Sequence, residues 1–168
     1  VKKENRADAL AILAVFFFAF CFHGAIEFRY VDLFGFDGYY HIKIAELYWT
    51  GDCSIFGGDF RWARFSSYNL TRHDWQLGYH LALIPFSWFG LMLGAKLSVA
   101  FFAALLSTVL YGLLRRERVR GAFWITLIFL ACSYHNIWRI HLARPTTLFL
   151  CFYLLTAYAA SKNHVLGT

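Results

Sequence analysis

The segment from Phe36 to Lys43 is the part of this chain whose residue types best suit chemistry, because it joins an acid to aromatic, histidine and lysine side chains. Asp37 is expected at or just before the N-terminus of a helix, where the helix dipole favours the ionised carboxylate. A carboxylate so placed could accept a proton from a nucleophile or bind a divalent metal ion. A purely structural N-cap is the alternative interpretation.

His41 follows Asp37 by four residues, so a helix brings both side chains to one face. The pair could ligate a metal ion, although a structural contact between acid and histidine is the commoner arrangement. Lys43 joins His41 among the side chains expected to bind substrate. Apolar residues at positions 42, 44, 45, 47 and 48 predict a short amphipathic helix that begins near Asp37 and ends at Gly51.

Two further groups carry polar side chains that suit a binding site. His73, Asp74 and Trp75 offer a second catalytic carboxylate and a ring to stack on a sugar, with a turn in a solvated loop as the alternative. Arg139 and Arg144 lie beside an apolar run, where an arginine is costly unless it is paired or faces water. They predict a clamp for a phosphate, and snorkelling to lipid headgroups is the alternative.

Long apolar runs must position these residues, since the chain is 60% hydrophobic. They predict an all-α, polytopic integral membrane protein with about four transmembrane helices in a single domain, 1–168. A large first outer loop, 29–96, is expected to hold interfacial helices, including the short apolar segment 81–95. The predicted spans are residues 9–28, 97–114, 121–137 and 146–160.

Basic residues near the ends of the apolar runs predict the orientation of the chain. Four arginines between positions 115 and 120 mark a cytoplasmic turn, and lysines at 2 and 3 mark a cytoplasmic N-terminus. Both termini are then cytoplasmic and the large loop lies outside, in a bacterial inner membrane or its equivalent. The net charge of +6 forms no basic stripe, so membrane lipids rather than nucleic acid are the expected partners.

The run Asp37-Gly38-Tyr39-Tyr40-His41 after a first apolar run resembles the Asp-Pro-Tyr-Tyr-His type motif in the first outer loop of GT-C glycosyltransferases. His73-Asp74-Trp75 and Tyr79-His80-Leu81, followed by a span that ends in arginines, extend the resemblance over about residues 9–160. The GT-C superfamily includes oligosaccharyltransferase catalytic subunits and protein mannosyltransferases. Members of this superfamily have more spans, so the resemblance implies that this chain is the N-terminal part of a longer protein, with further spans or subunits as partners.

The resemblance implies an inverting enzyme that transfers a sugar from a polyprenyl-phosphate donor to an acceptor on the outer face. It also implies that Asp37 is catalytic or binds a divalent metal ion such as Mg²⁺ or Mn²⁺. The chain departs from the oligosaccharyltransferase pattern in its second outer loop, 135–145, which contains no carboxylate. This departure speaks against a two-motif metal site and against glycosylation of peptide asparagine.

Two other functions remain open from the sequence. A non-catalytic assembly or scaffold subunit would bind a partner through its aromatic outer loop and would lack a polar cavity. A haem-binding four-helix protein is the third hypothesis, because four histidines, at positions 23, 80, 135 and 141, lie near span ends.

Overall fold

A computed structural model describes residues 2–54, 74–131 and 134–166, and every regular element in these ranges is an α-helix. The fold class is therefore all-α over the described residues, as the apolar runs predict. The described residues form seven helices. They are α1 (Lys2–Glu27), α2 (Asp37–Thr50), α3 (Leu77–Ser87), α4 (Leu91–Arg116), α5 (Ala122–Ala131), α6 (Tyr134–His141) and α7 (Thr146–Leu166).

Helix α1 buries a narrow stripe of residues spaced four apart: Val15, Ala19, His23 and Glu27. This spacing aligns one ridge of side chains along the helix, and such a ridge packs into the groove of a neighbouring helix. The neighbour is α4, whose buried face is rich in alanine and serine. Small side chains let two helices approach closely, and the remaining surface of α1 stays exposed and apolar.

The core under the site is made by α2, α3 and α4. Ile42 and Ala45 of α2 pack with Tyr79 and Leu83 of α3 and with Phe102 of α4. The amphipathic helix predicted after Asp37 is confirmed, and it ends where Gly51 adopts a left-handed conformation, with φ 78°. The buried face of α2 thus fixes the orientation of its first turn.

Contacts between distant residues define the two ends of the helical bundle. At one end Arg115 pairs with Asp8, and Lys162 pairs with Glu117. At the other end Arg144 pairs with Asp37. The start of α1, the arginine-rich turn and the end of α7 therefore share one end, and the segments before α2 and α7 meet at the other.

Two helices, Asp8–Glu27 and Leu91–Arg116, are long and apolar enough to cross a membrane. The second begins six residues before the predicted span 97–114, because the break in the preceding apolar segment comes at Gly90, with φ 84°. The predicted span 121–137 contains α5 and the first residues of α6, and its residues 132 and 133 lie outside the described residues. The predicted interfacial segment 81–95 is divided between α3 and the start of α4.

The tightest packing of α4 against the preceding chain is at Gly94, and it yields a stability prediction. A Cβ added there would lie 2.1 Å from the backbone oxygen of Phe86, which cannot move aside as a side chain could. Gly94→Ala should therefore destabilise the fold by about 1–3 kcal/mol, and thermal unfolding in detergent measures this change. Gly112→Ala on the same helix meets nothing within 4 Å, so it should be neutral or stabilising. Equal melting temperatures for the two variants would contradict this packing.

Candidate functional site

Asp37 occupies the first turn of α2, and its carboxylate is bound by Arg144, which follows α6. Both the Nε and the Nη2 nitrogens of the guanidinium contact Oδ2 of Asp37. Phe36 is the N-cap residue and makes no side-chain capping bond. The structural N-cap interpretation of Asp37 is therefore not what the structure shows. The two side chains are 45% and 44% exposed, so both remain accessible to a ligand.

The two segments that carry Asp37 and Arg144 pack directly against each other. A Cβ on residue 38 would lie 3.0 Å from Cβ of Ala143 and 2.9 Å from Cδ1 of Leu33, so the motif needs glycine beside its aspartate. The Tyr79 hydroxyl donates a hydrogen bond of 2.9 Å to the carbonyl of Ala143. Ala143 itself has φ 50°, a conformation that is costly for alanine and must be held by its surroundings. The contacts of Ala143 with Gly38 and Tyr79 therefore fix the backbone position of Arg144.

A cavity of about 460 Å³ opens between these segments. This volume lies in the range of small-ligand sites, about 300–1,000 Å³. A cavity of about 510 Å³ lies at the opposite end of the bundle, where aliphatic side chains of α1, α4 and α7 lie beside Asp8, Arg115 and Arg116. The 460 Å³ cavity between the Asp37 and Arg144 segments combines a carboxylate, an imidazole, an indole and a guanidinium. Its walls are Asp37, Tyr40, His41, Trp75, Gln76, Arg144, Pro145 and Thr146.

Behind the cavity, a buried chain of hydrogen bonds runs from Asp74 through His80 to His41. Oδ2 of Asp74 lies 2.5 Å from Nδ1 of His80, and Nε2 of His80 lies 2.8 Å from Nδ1 of His41. The side chains of His80 and Asp74 are 0% and 3% exposed. Tyr48 donates its hydroxyl hydrogen to Asp74 over 2.8 Å, and the backbone N–H of Gln76 donates to Oδ1 over 2.8 Å. These donors favour an ionised Asp74.

The direction of this chain determines what His41 presents to the cavity. Because the Asp74 carboxylate is an acceptor, Nδ1 of His80 carries the hydrogen and Nε2 of His80 must accept one from Nδ1 of His41. Nε2 of His41 is then left with a free lone pair, and His41 is a cavity wall. The residues that line the cavity therefore supply two acceptors, the Asp37 carboxylate and this nitrogen, together with the guanidinium of Arg144.

Burial, together with the neighbouring His80, lowers the pKa of His41 from 6.5 to about 4. The folded state then binds fewer protons than the unfolded state between these values, so stability should fall as the pH drops from about 6.5 to about 4 and be constant above. The loss is at most about 3 kcal/mol. His41→Gln should flatten this part of the pH profile of unfolding in detergent. Lys43→Gln, on the same helix, should keep the wild-type slope, and an unchanged slope in His41→Gln would contradict the buried neutral histidine.

The other predicted site residues take different positions. Trp75 lies on the cavity rim and is 80% exposed, as a stacking ring requires. Asp74 sits behind the cavity wall rather than on it. Lys43 pairs with Glu46 and is outside the cavity lining, and Arg139 is exposed on α6, also outside it. His73 lies outside the described residues. The structure therefore brings Asp37, His41, Trp75 and Arg144 together.

The described residues do not fit the divalent metal ion that the family resemblance implies. No group of three His, Cys, Asp or Glu side chains in the ranges 2–54, 74–131 and 134–166 is arranged to hold a metal ion. The Asp37 carboxylate is bound by a guanidinium, and Nδ1 of His41 is used by His80. The chemistry derived below therefore relies on side chains alone.

The sequence analysis assigned no role to Tyr48, Gln76 or His80 at this site. Tyr79-His80 did mark the resemblance, and that motif was the signal for a functional histidine. The haem hypothesis needs histidines that face an open space between helices. Instead, His80 is bonded to Asp74 and His41, and His23 lies 3.0 Å from His141 between Nδ1 and Nε2. His80 and His141 use both of their ring nitrogens in these contacts, so neither has a free nitrogen for axial ligation of a haem iron.

Comparison with known proteins adds no family to this description. The site therefore has to be interpreted from its own geometry and from the motif around Asp37. No family model, no curated protein and no solved structure matches the chain.

Proposed function

We propose that this chain is the whole or part of a membrane glycosyltransferase that moves a sugar from a polyprenyl-phosphate donor to an acceptor hydroxyl or amide. One observation carries the proposal: a carboxylate, a neutral histidine, an exposed indole and an arginine, which come from three separate segments of the chain, line one cavity. These are the groups that displacement at a sugar carbon requires, namely a base, a sugar platform and a partner for the departing phosphate.

The reaction forms one bond and breaks another at the anomeric carbon. The acceptor atom attacks this carbon from the side opposite the phosphate, which inverts its configuration, and its proton passes to the Asp37 carboxylate. The bond between the anomeric carbon and the phosphate oxygen breaks, and its electron pair leaves with the polyprenyl phosphate. The Arg144 guanidinium stabilises the charge that develops on that phosphate, since its planar donors match phosphate oxygens.

Donor binding and base activation are linked through the pair of Asp37 and Arg144. The guanidinium of Arg144 is bound to the Asp37 carboxylate. A bound phosphate competes for the same donors and so frees Asp37 to accept a proton. The lone pair of His41 Nε2 suits a sugar hydroxyl, which donates, and Trp75 offers a face on which the sugar ring can stack.

The proposal places the enzyme in a membrane as a multi-pass protein with about four spans, with the cavity on the outer face. Two helices of sufficient length and apolarity support this placement. The arrangement of charge supports it too, because the arginine-rich turn at 115–120 lies at the bundle end opposite the cavity. A lipid-linked donor would then reach the cavity from the bilayer, and the acceptor would enter from water.

The direct test is sugar transfer by the reconstituted chain. A panel of polyprenyl-phosphate sugars would be offered in liposomes, and release of polyprenyl phosphate and labelling of acceptors would be followed. Transfer from one donor of the panel is the expected result. Neither transfer nor saturable donor binding, with a monodisperse and folded protein, would contradict the proposal.

Arg144→Gln should raise the KM for the donor by about tenfold or more, because it removes a charge-assisted bond worth about 1.5–3 kcal/mol. The matched control is Arg139→Gln, which changes an exposed arginine of α6 that does not line the cavity. Donor titrations with the purified variants measure both values. A similar rise for both variants would show that arginine acts only through general surface charge.

An assembly or scaffold subunit is the second candidate, and it has its own observation. Val31 and Phe36, in the segment between α1 and α2, are 86% and 90% exposed. Exposed apolar side chains of this kind are typical of a surface that binds a partner. Asp37→Asn separates the two functions, because it should abolish transfer but leave partner binding through Val31 and Phe36 intact.

A further inference from the structure

A second chain of a carboxylate and two histidines lies away from the cavity. Oε1 of Glu27 is 2.7 Å from Nδ1 of His141, and Nε2 of His141 is 3.0 Å from Nδ1 of His23. It repeats the order of the chain behind the cavity, but it joins α1 to α6. Glu27 and His23 are fully buried, and His141 is 1% exposed. The glycosyltransferase proposal assigns this group no role.

Two polar atoms of this group are buried and have no hydrogen-bond partner in the described part of the chain: Nε2 of His23 and Oε2 of Glu27. If Glu27 is ionised, Nδ1 of His141 donates to it, Nε2 of His141 accepts from His23, and both orphan atoms are bare acceptors. The group then carries one negative charge in a buried position, with an oxygen of the carboxylate unsolvated. Such a state is costly.

One added proton removes the buried negative charge and keeps both hydrogen bonds. With the proton on Oε1 of Glu27, the carboxylic acid donates to Nδ1 of His141, and Nε2 of His141 donates to Nδ1 of His23. The hydrogen on His23 then lies on Nε2. The group is now neutral, and each of its two short contacts still has one donor and one acceptor.

The carboxylates of the two chains, Asp74 and Glu27, differ in the number of hydrogen bonds that they accept. Asp74 accepts hydrogen bonds from Tyr48 and from the backbone N–H of Gln76 besides its contact with His80. Glu27 has only His141, and its second oxygen has no partner among the described residues. Hydrogen bonds to the charged form stabilise a carboxylate, so the first chain supports an anion and the second does not.

No described cation compensates for a negative charge on Glu27. On α4, which packs against α1, the buried Lys96 ammonium is directed to the carbonyls of Tyr30 and Val31. On α6, Arg139 is exposed. The side of His141 is covered by the ring of Phe34, whose centroid lies 5.4 Å away, and this ring supplies no charge.

We propose that Glu27, His141 and His23 form a proton-binding site that holds one proton at neutral pH, with Glu27 as the neutral acid. The site joins α1 to the segment that carries Arg144, three residues beyond His141. It does not depend on the transfer reaction, so it can be tested on the resting protein. In the alternative arrangements Glu27 stays ionised, either beside a protonated His141 or solvated by a buried water that donates to both orphan atoms.

Infrared spectroscopy of the reconstituted chain distinguishes a protonated Glu27 carboxylic acid from an ionised Glu27 carboxylate. A protein labelled with carbon-13 glutamate should show, at pH 7, the carbonyl band of a protonated carboxylic acid that shifts with the label and in heavy water. This band should vanish in Glu27→Gln and persist in Glu46→Gln, whose carboxylate pairs with Lys43. Asp74→Asn should leave it unchanged.

Only ionised glutamate bands at pH 7 would overturn the proposal, because Glu27 would then be an anion paired with a protonated His141 or solvated by a buried water. A protonated band that persists in Glu27→Gln would overturn it as well, because another glutamate would then hold the proton. The labelled wild-type protein answers the first question without any variant. Stability gives a second readout: Glu27→Gln resembles the neutral acid and should melt close to wild type, whereas a large fall in melting temperature equal to that of Glu27→Ala would contradict a neutral Glu27.

Discussion

Asp37→Asn should lower the turnover of sugar transfer by about a thousandfold, within the range of about 10²–10⁴ for a general base. Asparagine keeps the size of the side chain but cannot take a proton from the acceptor. The fold should survive, because the pair of Asp37 and Arg144 is nearly half exposed and exposed pairs contribute at most about 1 kcal/mol. Single-turnover transfer in liposomes measures the effect.

Asp32→Asn is the matched control for this variant. Asp32 lies in the same segment before α2, is exposed, and accepts only a 3.3 Å hydrogen bond from the Tyr39 hydroxyl. It does not line the cavity. Its substitution removes the same charge and should leave turnover within about twofold of wild type, since exposed substitutions are usually worth less than about 0.5 kcal/mol. Wild-type turnover in Asp37→Asn would remove Asp37 from the mechanism.

Asp74→Asn is expected to reduce kcat/KM by about a hundredfold through a reversal of hydrogens in the buried chain. The new amide can donate to Nδ1 of His80, so Nε2 of His80 becomes a donor to Nδ1 of His41. Nε2 of His41 then carries a hydrogen and presents a donor to the sugar hydroxyl in place of an acceptor. The hydrogen bond between the sugar hydroxyl and Nε2 of His41 is lost, and two donors then face each other. This costs about 3 kcal/mol, which corresponds to a fall of about a hundredfold in kcat/KM.

The split between kinetic constants distinguishes this effect from general damage. Arg144 is untouched, so binding of free polyprenyl phosphate should be unchanged in Asp74→Asn. Tyr48→Phe is the control, because it removes a donor to Asp74 but keeps the carboxylate that orients His80. Its kcat/KM should fall far less. An equal loss in both variants would mean that the buried chain acts on stability alone.

The local patterns predicted much of the helical structure correctly. The spacing of apolar residues after Asp37 predicts α2, and Gly51 predicts its end, because both depend on neighbours along the chain. The start of α4 at Leu91 was missed. Between α3 and α4 the break depends on Gly90, whose left-handed backbone the sequence pattern does not reveal.

The catalytic candidates were found only in part. Asp37, His41, Trp75 and Arg144 carry residue types that suggest chemistry by themselves, and they meet at the cavity. His80 and Tyr48 were given no role, because their importance lies in the partner each touches. Likewise the importance of Glu27 lies in its contact with the distant His141, against which it is fully buried.

The sequence by itself determined the apolar helices, the start and end of α2 and the polar residue types at the ends of the apolar runs, since composition and short-range spacing encode these features. The tertiary structure alone decided which polar residues meet. Asp37 and Arg144 are 107 positions apart, and Glu27 and His141 are 114 apart. Such contacts depend on how helices pack, because side chains distant in the chain become neighbours only when buried faces such as those of α1 and α4 are matched.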